Sequence, residues 1–190
     1  METLLIQEFQ HLDFAIFDFD GTLTNLNINW VELREELHIS SIEEIWDFAE
    51  NERKNAWALV SEAELRAVEF ADPIPSVVDL LKQIDFAILT NNSEIAVTSF
   101  LAKQSLSFSK QQIVGRTWLD KSKRNFERFS DAIEHILRGN PKKFYAPNNK
   151  VGYFGDSDYE LEFSELIGLE SFKVNNDGSI CRFRGDTNYC

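Results

Sequence analysis

The sequence predicts an α/β fold in which a mainly parallel sheet carries helices on both faces. Four short apolar runs, bounded by turn residues, have the length of buried strands: residues 14–18, 86–90, 113–114 and 151–154. Longer segments with helical periodicity separate these runs, which indicates crossover connections between parallel strands. At 190 residues the chain is long enough for one domain and an insert.

The segment between the first two strands, residues 25–74, is predicted to be entirely helical. It holds Trp30, Trp46 and Trp57, three of the four tryptophans, and no strand-like run. Serines followed three residues later by glutamates, at Ser41 and again at Ser61, have the spacing of a capping box, which predicts a helix start at each. Twelve acidic and four basic residues give this segment a charge of −8. We therefore expect residues 25–74 to form a small inserted domain, and residues 1–24 and 75–190 to form the core.

The C-terminal part of the sequence predicts a β-hairpin. Asn176-Asp177-Gly178 separates two short apolar runs, residues 171–174 and 180–183. An Asp-Gly pair between two such runs favours a tight turn between antiparallel strands.

Composition excludes several functional classes. A net charge of −13, without any basic tract, opposes binding to a nucleic-acid backbone. No apolar stretch approaches the roughly 18–20 residues of a membrane span, and the N-terminus has no export signal. The two cysteines, Cys181 and Cys190, are expected to be reduced thiols. We expect a cytoplasmic protein with no nucleic-acid or membrane partner.

Two aspartates follow the first predicted strand. Asp18 and Asp20 alternate along the chain, so both side chains lie on one side at the carboxyl end of that strand, where ligands bind in open α/β sheets. Two carboxylates this close repel each other, and one becomes protonated unless a cation lies between them. The pair therefore indicates either a metal site or an acid/base pair.

The run Asp-Phe-Asp-Gly-Thr-Leu-Thr at residues 18–24 resembles the signature of the haloacid dehalogenase-like (HAD) hydrolase superfamily. Three later positions are similar to the remaining family motifs. Thr90 ends the second strand, Lys123 precedes a helix, and Gly155-Asp156 ends the fourth strand. Lys121 competes with Lys123, which we prefer because its spacing from the following helix resembles the family pattern. The four matches occur in the family order and span residues 18–160.

The resemblance implies a three-layer, Rossmann-like parallel sheet core with a small all-helical cap inserted after the first strand. It also implies a magnesium-dependent phosphatase. Asp18 would be the nucleophile that forms an aspartyl-phosphate, and Asp20 the general acid and base. Asp18, Asp156 and the carbonyl of Asp20 would bind Mg²⁺, with Glu160 or Asp158 supporting the metal. Thr90 and Lys123 would hold the phosphoryl group.

The sequence departs from the family pattern in two places and leaves the substrate open. Arg124 stands where family members usually have proline after the lysine, and Glu160 where they usually have aspartate. Dehalogenases of the superfamily lack the second acid, Asp20, so its presence favours a phosphatase. A phosphosugar mutase would use the same residues, and a regulatory module could bind metal and phosphate without turnover. The expected ligand is a small phosphorylated metabolite bound by Thr90, Asn91, Lys123 and Arg53, whereas the oligomeric state stays open.

Overall fold

The fold is a seven-stranded sheet with helices on both faces, seen in a computed structural model that describes residues 9–119, 121–139, 149–185 and 187–189. The strand order is β3-β2-β1-β4-β5-β6-β7, and the first five strands in this order are parallel. The strands are β1 (Phe14–Phe17), β2 (Phe86–Leu89), β3 (Ile113–Val114), β4 (Val151–Gly155), β5 (Glu170–Val174), β6 (Ile180–Arg184) and β7 (Thr187–Tyr189). The predicted α/β class is confirmed.

The helices among the described residues lie between the strands. They are α1 (Trp30–Leu37), α2 (Glu50–Phe70), α3 (Pro75–Leu81), α4 (Glu94–Lys103), α5 (Phe126–Gly139) and α6 (Asp158–Leu166), with 3-10 turns at Ile42–Asp47 and Lys110–Gln112. None of them is both long enough and apolar enough to cross a membrane.

The two faces of the sheet have separate apolar cores. Along β1, Ala15 and Phe17 contribute to the core that includes α3 and α4, whereas Phe14 and Ile16 contribute to the core that includes α5 and α6. This alternation follows from the two-residue period of a strand. The sheet is thus the middle of three layers, as the sequence predicts.

Residues 30–70 contain the helices α1 and α2 and a third, smaller apolar cluster built around Leu33, Ile45 and Val60. The capping box at Ser41 is confirmed. The Ser41 hydroxyl accepts the backbone amide of Glu44, and the Glu44 carboxylate accepts the backbone amide of Ser41. The second predicted helix start, at Ser61, is wrong. Residues Glu50–Phe70 form one continuous helix, because Ser61 interrupts neither its apolar stripe nor its backbone hydrogen bonds. The division of the chain into a core and a cap stays a prediction.

The C-terminal hairpin is confirmed. β5 and β6 pair antiparallel, with Phe172 opposite Arg182, and the turn between them contains Gly178 at φ +81°. β7 adds a further antiparallel strand beyond β6. Cys181 in β6 is buried and disulfide-bonded, so the expectation of a reduced thiol at this position is wrong.

Candidate active site

The carboxyl ends of three neighbouring strands bring the predicted site residues together. β1 lies between β2 and β4, with Phe17 opposite Ile88 on one side and Phe154 on the other. Asp18, Thr90 and Asp156 follow these strands within two residues, so all three are at the same edge of the sheet. This is the edge at which parallel α/β sheets bind ligands.

Lys123 is the centre of a buried ion network. Its side chain is 3% exposed, and its ammonium contacts Asp18 Oδ1, Glu160 Oε2 at 2.8 Å and the Leu89 carbonyl at 3.3 Å. The two carboxylates hold the pKa of Lys123 above its ordinary value, despite burial. The alternative lysine, Lys121, is exposed. The structure therefore brings Lys123 into the candidate site and leaves Lys121 at the surface.

Glu160 supports Lys123 from the first turn of α6. It is 1% exposed, its Oε1 accepts a hydrogen bond of 2.7 Å from the Tyr159 hydroxyl, and its Oε2 accepts from both Lys123 and Tyr153. Both oxygens are therefore engaged by protein donors.

Asp158 has a different environment, since it is exposed and pairs with Lys173 at 2.5 Å.

A tight turn links the two aspartates of the first motif to Asp156. The Asp20 carboxylate accepts a hydrogen bond of 2.7 Å from the Leu26 backbone amide. Gly21 has φ +82°, and a Cβ at this position would overlap the Asp156 carboxylate. Only glycine fits both the backbone conformation and the space. Asp156 thus lies directly against the turn that carries Asp20.

Burial raises the pKa of each of these three acids. The pKa of Asp18 is raised to about 7 by burial, which outweighs the opposing effect of Lys123. Burial also raises the pKa of Asp20 to about 6, although the Leu26 amide favours its ionised form. The pKa of Asp156 is raised by burial and by the nearby Glu160. The edge of the sheet is therefore short of positive charge.

The donor set fits a magnesium ion. Hard oxygen ligands are available from Asp18, Asp156 and the Asp20 carbonyl. The raised pKa values of Asp18 and Asp156 indicate that a cation here would stabilise their ionised carboxylates. Among the described residues, no group of three or more His, Cys, Asp or Glu side chains is placed so that it could hold a metal ion. Mg²⁺ does not need one, because it usually keeps several waters and binds through one or two carboxylates.

Thr90 and Asn91 lie in a loop that is linked to Lys123. The Thr90 hydroxyl donates to Asn92 Oδ1 at 2.8 Å, and the Asn91 side-chain oxygen accepts the Lys123 backbone amide at 2.9 Å. Asn91 also donates to the Ser122 hydroxyl at 3.1 Å. The segments that carry Thr90 and Lys123 are therefore fixed relative to each other.

A cavity of about 670 Å³ opens above these residues and continues between the sheet edge and residues 30–64. Six acidic and four basic side chains line it, a net charge of −2, which one divalent cation would neutralise.

Arg53, a predicted substrate-binding residue, is not among the lining residues, and its guanidinium donates to the Trp46 carbonyl at 3.3 Å. Arg53 lies four residues before Trp57, which does line the cavity, so both belong to the same side of α2. Its role in substrate binding stays a prediction.

Sequence reasoning missed a second buried ion pair in this cavity, between Glu64 on α2 and Arg116 after β3. The two side chains are 2% and 6% exposed. The Arg116 guanidinium also lies 4.4 Å from the ring centre of Trp57. One signal could have found Glu64, because the buried side chains of α2 recur every four residues: Ala56, Val60, Glu64 and Val68.

The chain has the fold of HAD-like hydrolases. A hydrolase from Pseudomonas syringae is 19% identical with a TM-score of 0.60, over 84% of this chain and 82% of that one. A HAD-like family protein from Streptococcus pneumoniae is 16% identical, with a TM-score of 0.56 over 85% and 83% of the two chains. YfnB from Bacillus subtilis, described as a HAD-hydrolase bound to magnesium, is 16% identical, with a TM-score of 0.51 over 85% and 88%.

Structures described as dehalogenases and as phosphatases both occur among the matches. No family model and no curated protein sequence matches the chain. At these identities the likeness is one of fold.

Proposed function

We propose that this chain is a magnesium-dependent HAD-like phosphatase that hydrolyses a small phosphate monoester through an aspartyl-phosphate on Asp18. The observation that carries the proposal is the different environment of the two aspartates of the first motif. Asp18 contacts the ammonium of the buried Lys123 and would also contact the metal, and both cations favour its ionised, nucleophilic form. Asp20 instead accepts the Leu26 backbone amide and has a pKa of about 6. A pKa near the working pH suits a general acid and base.

In the first step, a carboxylate oxygen of Asp18 attacks phosphorus and forms the acyl-phosphate bond, while the bond from phosphorus to the ester oxygen breaks. Asp20 gives its proton to that ester oxygen, so the alcohol leaves neutral. Lys123 lies against Asp18 and balances negative charge on the transferring group. This division of roles requires an ionised Asp18, so a bound cation would have to offset the burial that raises the pKa of Asp18 to about 7.

In the second step, Asp20 takes a proton from water as the water oxygen attacks phosphorus. The bond between phosphorus and the Asp18 oxygen breaks, which releases inorganic phosphate and regenerates the Asp18 carboxylate and the protonated Asp20. Thr90 and Asn91, in the loop linked to Lys123, would contact the phosphoryl oxygens. A magnesium ion held by Asp18, Asp156 and the Asp20 carbonyl would supply charge stabilisation to the phosphoryl oxygens.

The cavity supports a small polar substrate, and we propose that residues 25–74 act as the cap above it. Its lining combines charged side chains with Trp30, Trp46 and Trp57, and its volume of about 670 Å³ lies within the range of small-molecule sites. The half of the cavity formed by residues 30–64 would then contact the leaving group, because the phosphoryl group would occupy the sheet edge.

The test is phosphate release from an aryl phosphate, with and without Mg²⁺, by the wild-type protein and by the variant Asp18→Asn. We expect metal-dependent turnover that the substitution abolishes, a loss of at least about 10⁴-fold. Asp158→Asn is the matched control, since Asp158 is exposed and pairs only with Lys173 among the contacts described. Turnover by Asp18→Asn at the wild-type rate would contradict the proposal.

A wild-type protein that binds Mg²⁺ and phosphate without turnover would point instead to a regulatory module. Conversion of one sugar phosphate into its isomer, with little phosphate release, would identify a mutase.

A further inference from the structure

We propose that Glu64 is a positioning residue for phosphoryl transfer, which holds the Thr90 loop, residues 90–93, in place from helix α2. The inference rests on the proposed phosphatase function, because it assigns Glu64 to the loop that would bind the phosphoryl group. It makes a side chain of the inserted segment part of the reaction machinery of the sheet edge.

The Glu64 carboxylate is buried and both of its oxygens are bonded to the Thr90 loop. Oε1 accepts the Asn92 side-chain amide at 3.0 Å, and Oε2 accepts the Ser93 backbone amide at 2.9 Å. Glu64 is 1% exposed, so these bonds are not replaced by water. A carboxylate that accepts a backbone amide forms one of the stronger hydrogen bonds available to a loop.

The bonds to Glu64 continue directly to Thr90 and towards Lys123. Asn92 accepts the Thr90 hydroxyl through its side-chain oxygen and donates its backbone amide to the same hydroxyl at 3.1 Å. The preceding residue, Asn91, accepts the backbone amide of Lys123 through its side-chain oxygen. A displacement of Asn92 would therefore move the hydroxyl of Thr90, which is 1% exposed and part of the cavity lining.

The Thr90 loop lacks the usual local anchor at its helical end. Ser93 is the N-cap of α4, yet its side chain makes no capping hydrogen bond, and its buried hydroxyl has no partner among the described residues. N-cap side chains normally bond the first amides of a helix. Here the anchor comes from a different helix, through Glu64.

Arg116 makes the burial of Glu64 possible. Its guanidinium pairs with Glu64, and its backbone amide donates to the Asn92 carbonyl at 3.0 Å. A charge pair can also be purely structural, and removing one partner destabilises a protein because the other charge is left buried and unpaired. A test must therefore remove both charges together.

The decisive variant is the double substitution Glu64→Met with Arg116→Met, which removes the loop anchor without leaving a buried charge. We expect a melting temperature lower by roughly 5 °C, because the Asn92 and Ser93 amides lose their acceptor, a kcat lower by about 100-fold, and a KM within about threefold. Hydrogen exchange at the Asn92 and Ser93 amides should become faster, and inorganic phosphate should bind more weakly in the presence of Mg²⁺.

The matched control is Glu94→Gln. Glu94 also bonds a backbone amide of a neighbouring loop, that of Thr117 at 2.9 Å, but it does not line the cavity. It should leave kcat within about threefold and leave exchange at Asn92 and Ser93 unchanged.

Wild-type kcat and wild-type exchange in the double variant would overturn the inference, as would a loss in Glu64→Met that the second substitution restores. A wild-type protein without phosphatase turnover would contradict the proposed function instead. Exchange and phosphate binding would then decide the role of Glu64 independently.

Discussion

Two buried cations line the same cavity, and their charges are balanced in different ways. Lys123 contacts two carboxylates, Asp18 and Glu160, and Asp156 lies close enough to be affected by its charge. Arg116 has one carboxylate, Glu64, and the face of Trp57. The Lys123 network thus keeps excess negative charge at the sheet edge, whereas the Arg116 pair is neutral. Unbalanced buried charge therefore indicates where a cation would bind and a reaction would occur, whereas the balanced pair indicates where a loop is fixed.

The largest expected difference is between the variants Lys123→Met and Arg116→Met. Lys123→Met should lower kcat by about 10³-fold, because a cation that balances the phosphoryl group is lost. Arg116→Met should lower kcat by less than about tenfold, since Glu64 keeps its bonds to Asn92 and Ser93. Both should lower the free energy of unfolding by about 3 kcal/mol, which urea denaturation measures. Equal losses of kcat would remove the distinction between the two cations.

The next largest effect concerns Asp20, the acid that the Lys123 network leaves free. Its protonated form is needed in the first step, so kcat/KM should fall as the pH rises through its pKa of about 6. Asp20→Asn should lower kcat by about 10²-fold for an alkyl phosphate and make that part of the pH profile flat. An aryl phosphate, whose leaving group needs less protonation, serves as the control and should lose less. A pH profile that Asp20→Asn leaves unchanged would assign the proton transfer to another group.

A smaller effect, on stability, follows from the excess charge at the Lys123 end. The folded-state pKa values of Asp18 and Asp20, about 7 and about 6, exceed those of unfolded aspartates. Protonation therefore stabilises the folded state, and this stabilisation is complete below about pH 4 and is lost as the pH rises through 6 to 7. Without Mg²⁺, the melting temperature should fall between pH 5 and pH 8.

Millimolar Mg²⁺ should restore the melting temperature mainly at the higher pH. The free energy of unfolding should rise by about 2.7 kcal/mol when the Mg²⁺ concentration is a hundred times its Kd. Asp156→Asn, which removes a proposed ligand, should weaken this gain in a thermal-shift experiment. A Mg²⁺ effect that is the same at pH 5 and pH 8 would contradict the assignment of the excess charge to the metal site.

The smallest effect is expected at a third ion pair, the exposed one between Arg124 and Glu43. Their side chains are 58% and 41% exposed, so the pair should contribute less than about 1 kcal/mol. Glu43→Gln should change KM by less than about threefold, and this change should shrink further in high salt. A large effect on kcat would contradict this prediction and would show that the exposed pair contributes to catalysis as the buried networks do.

The sequence predicts the Lys123 network well because its members follow strands. Asp18, Thr90 and Asp156 come directly after apolar runs, and parallel strands bring their carboxyl ends to one edge. Lys123 is preferred to Lys121 because its spacing from the helix that begins at Phe126 resembles the family pattern. Such residues can be placed from the local sequence because the sheet fixes the position of each strand end.

The Arg116 pair was not predicted because its partners come from distant parts of the chain. Glu64 is one of twelve acids in a segment whose charge suggests a solvated surface, and Arg116 follows a strand of only two residues. Arg53 lies on the side of α2 that carries Trp57, but its sequence position does not show that its guanidinium bonds the Trp46 carbonyl and is not part of the cavity lining. Side-chain direction on an isolated helix depends on packing that the local sequence does not contain.

Because helix α2 is long, a tilt of the helix displaces its side chains by different distances. A helix of 21 residues is about 31 Å long at 1.5 Å per residue. Glu64 and Trp57 lie 6 and 13 residues from its last residue, Phe70, or about 9 and 20 Å along the axis. Any tilt of α2 about that end moves Trp57 roughly twice as far as Glu64. One small rotation would therefore reshape the part of the cavity next to Trp57 about twice as much as the part next to Glu64, so the contacts to the leaving group would change more than those that hold the Thr90 loop.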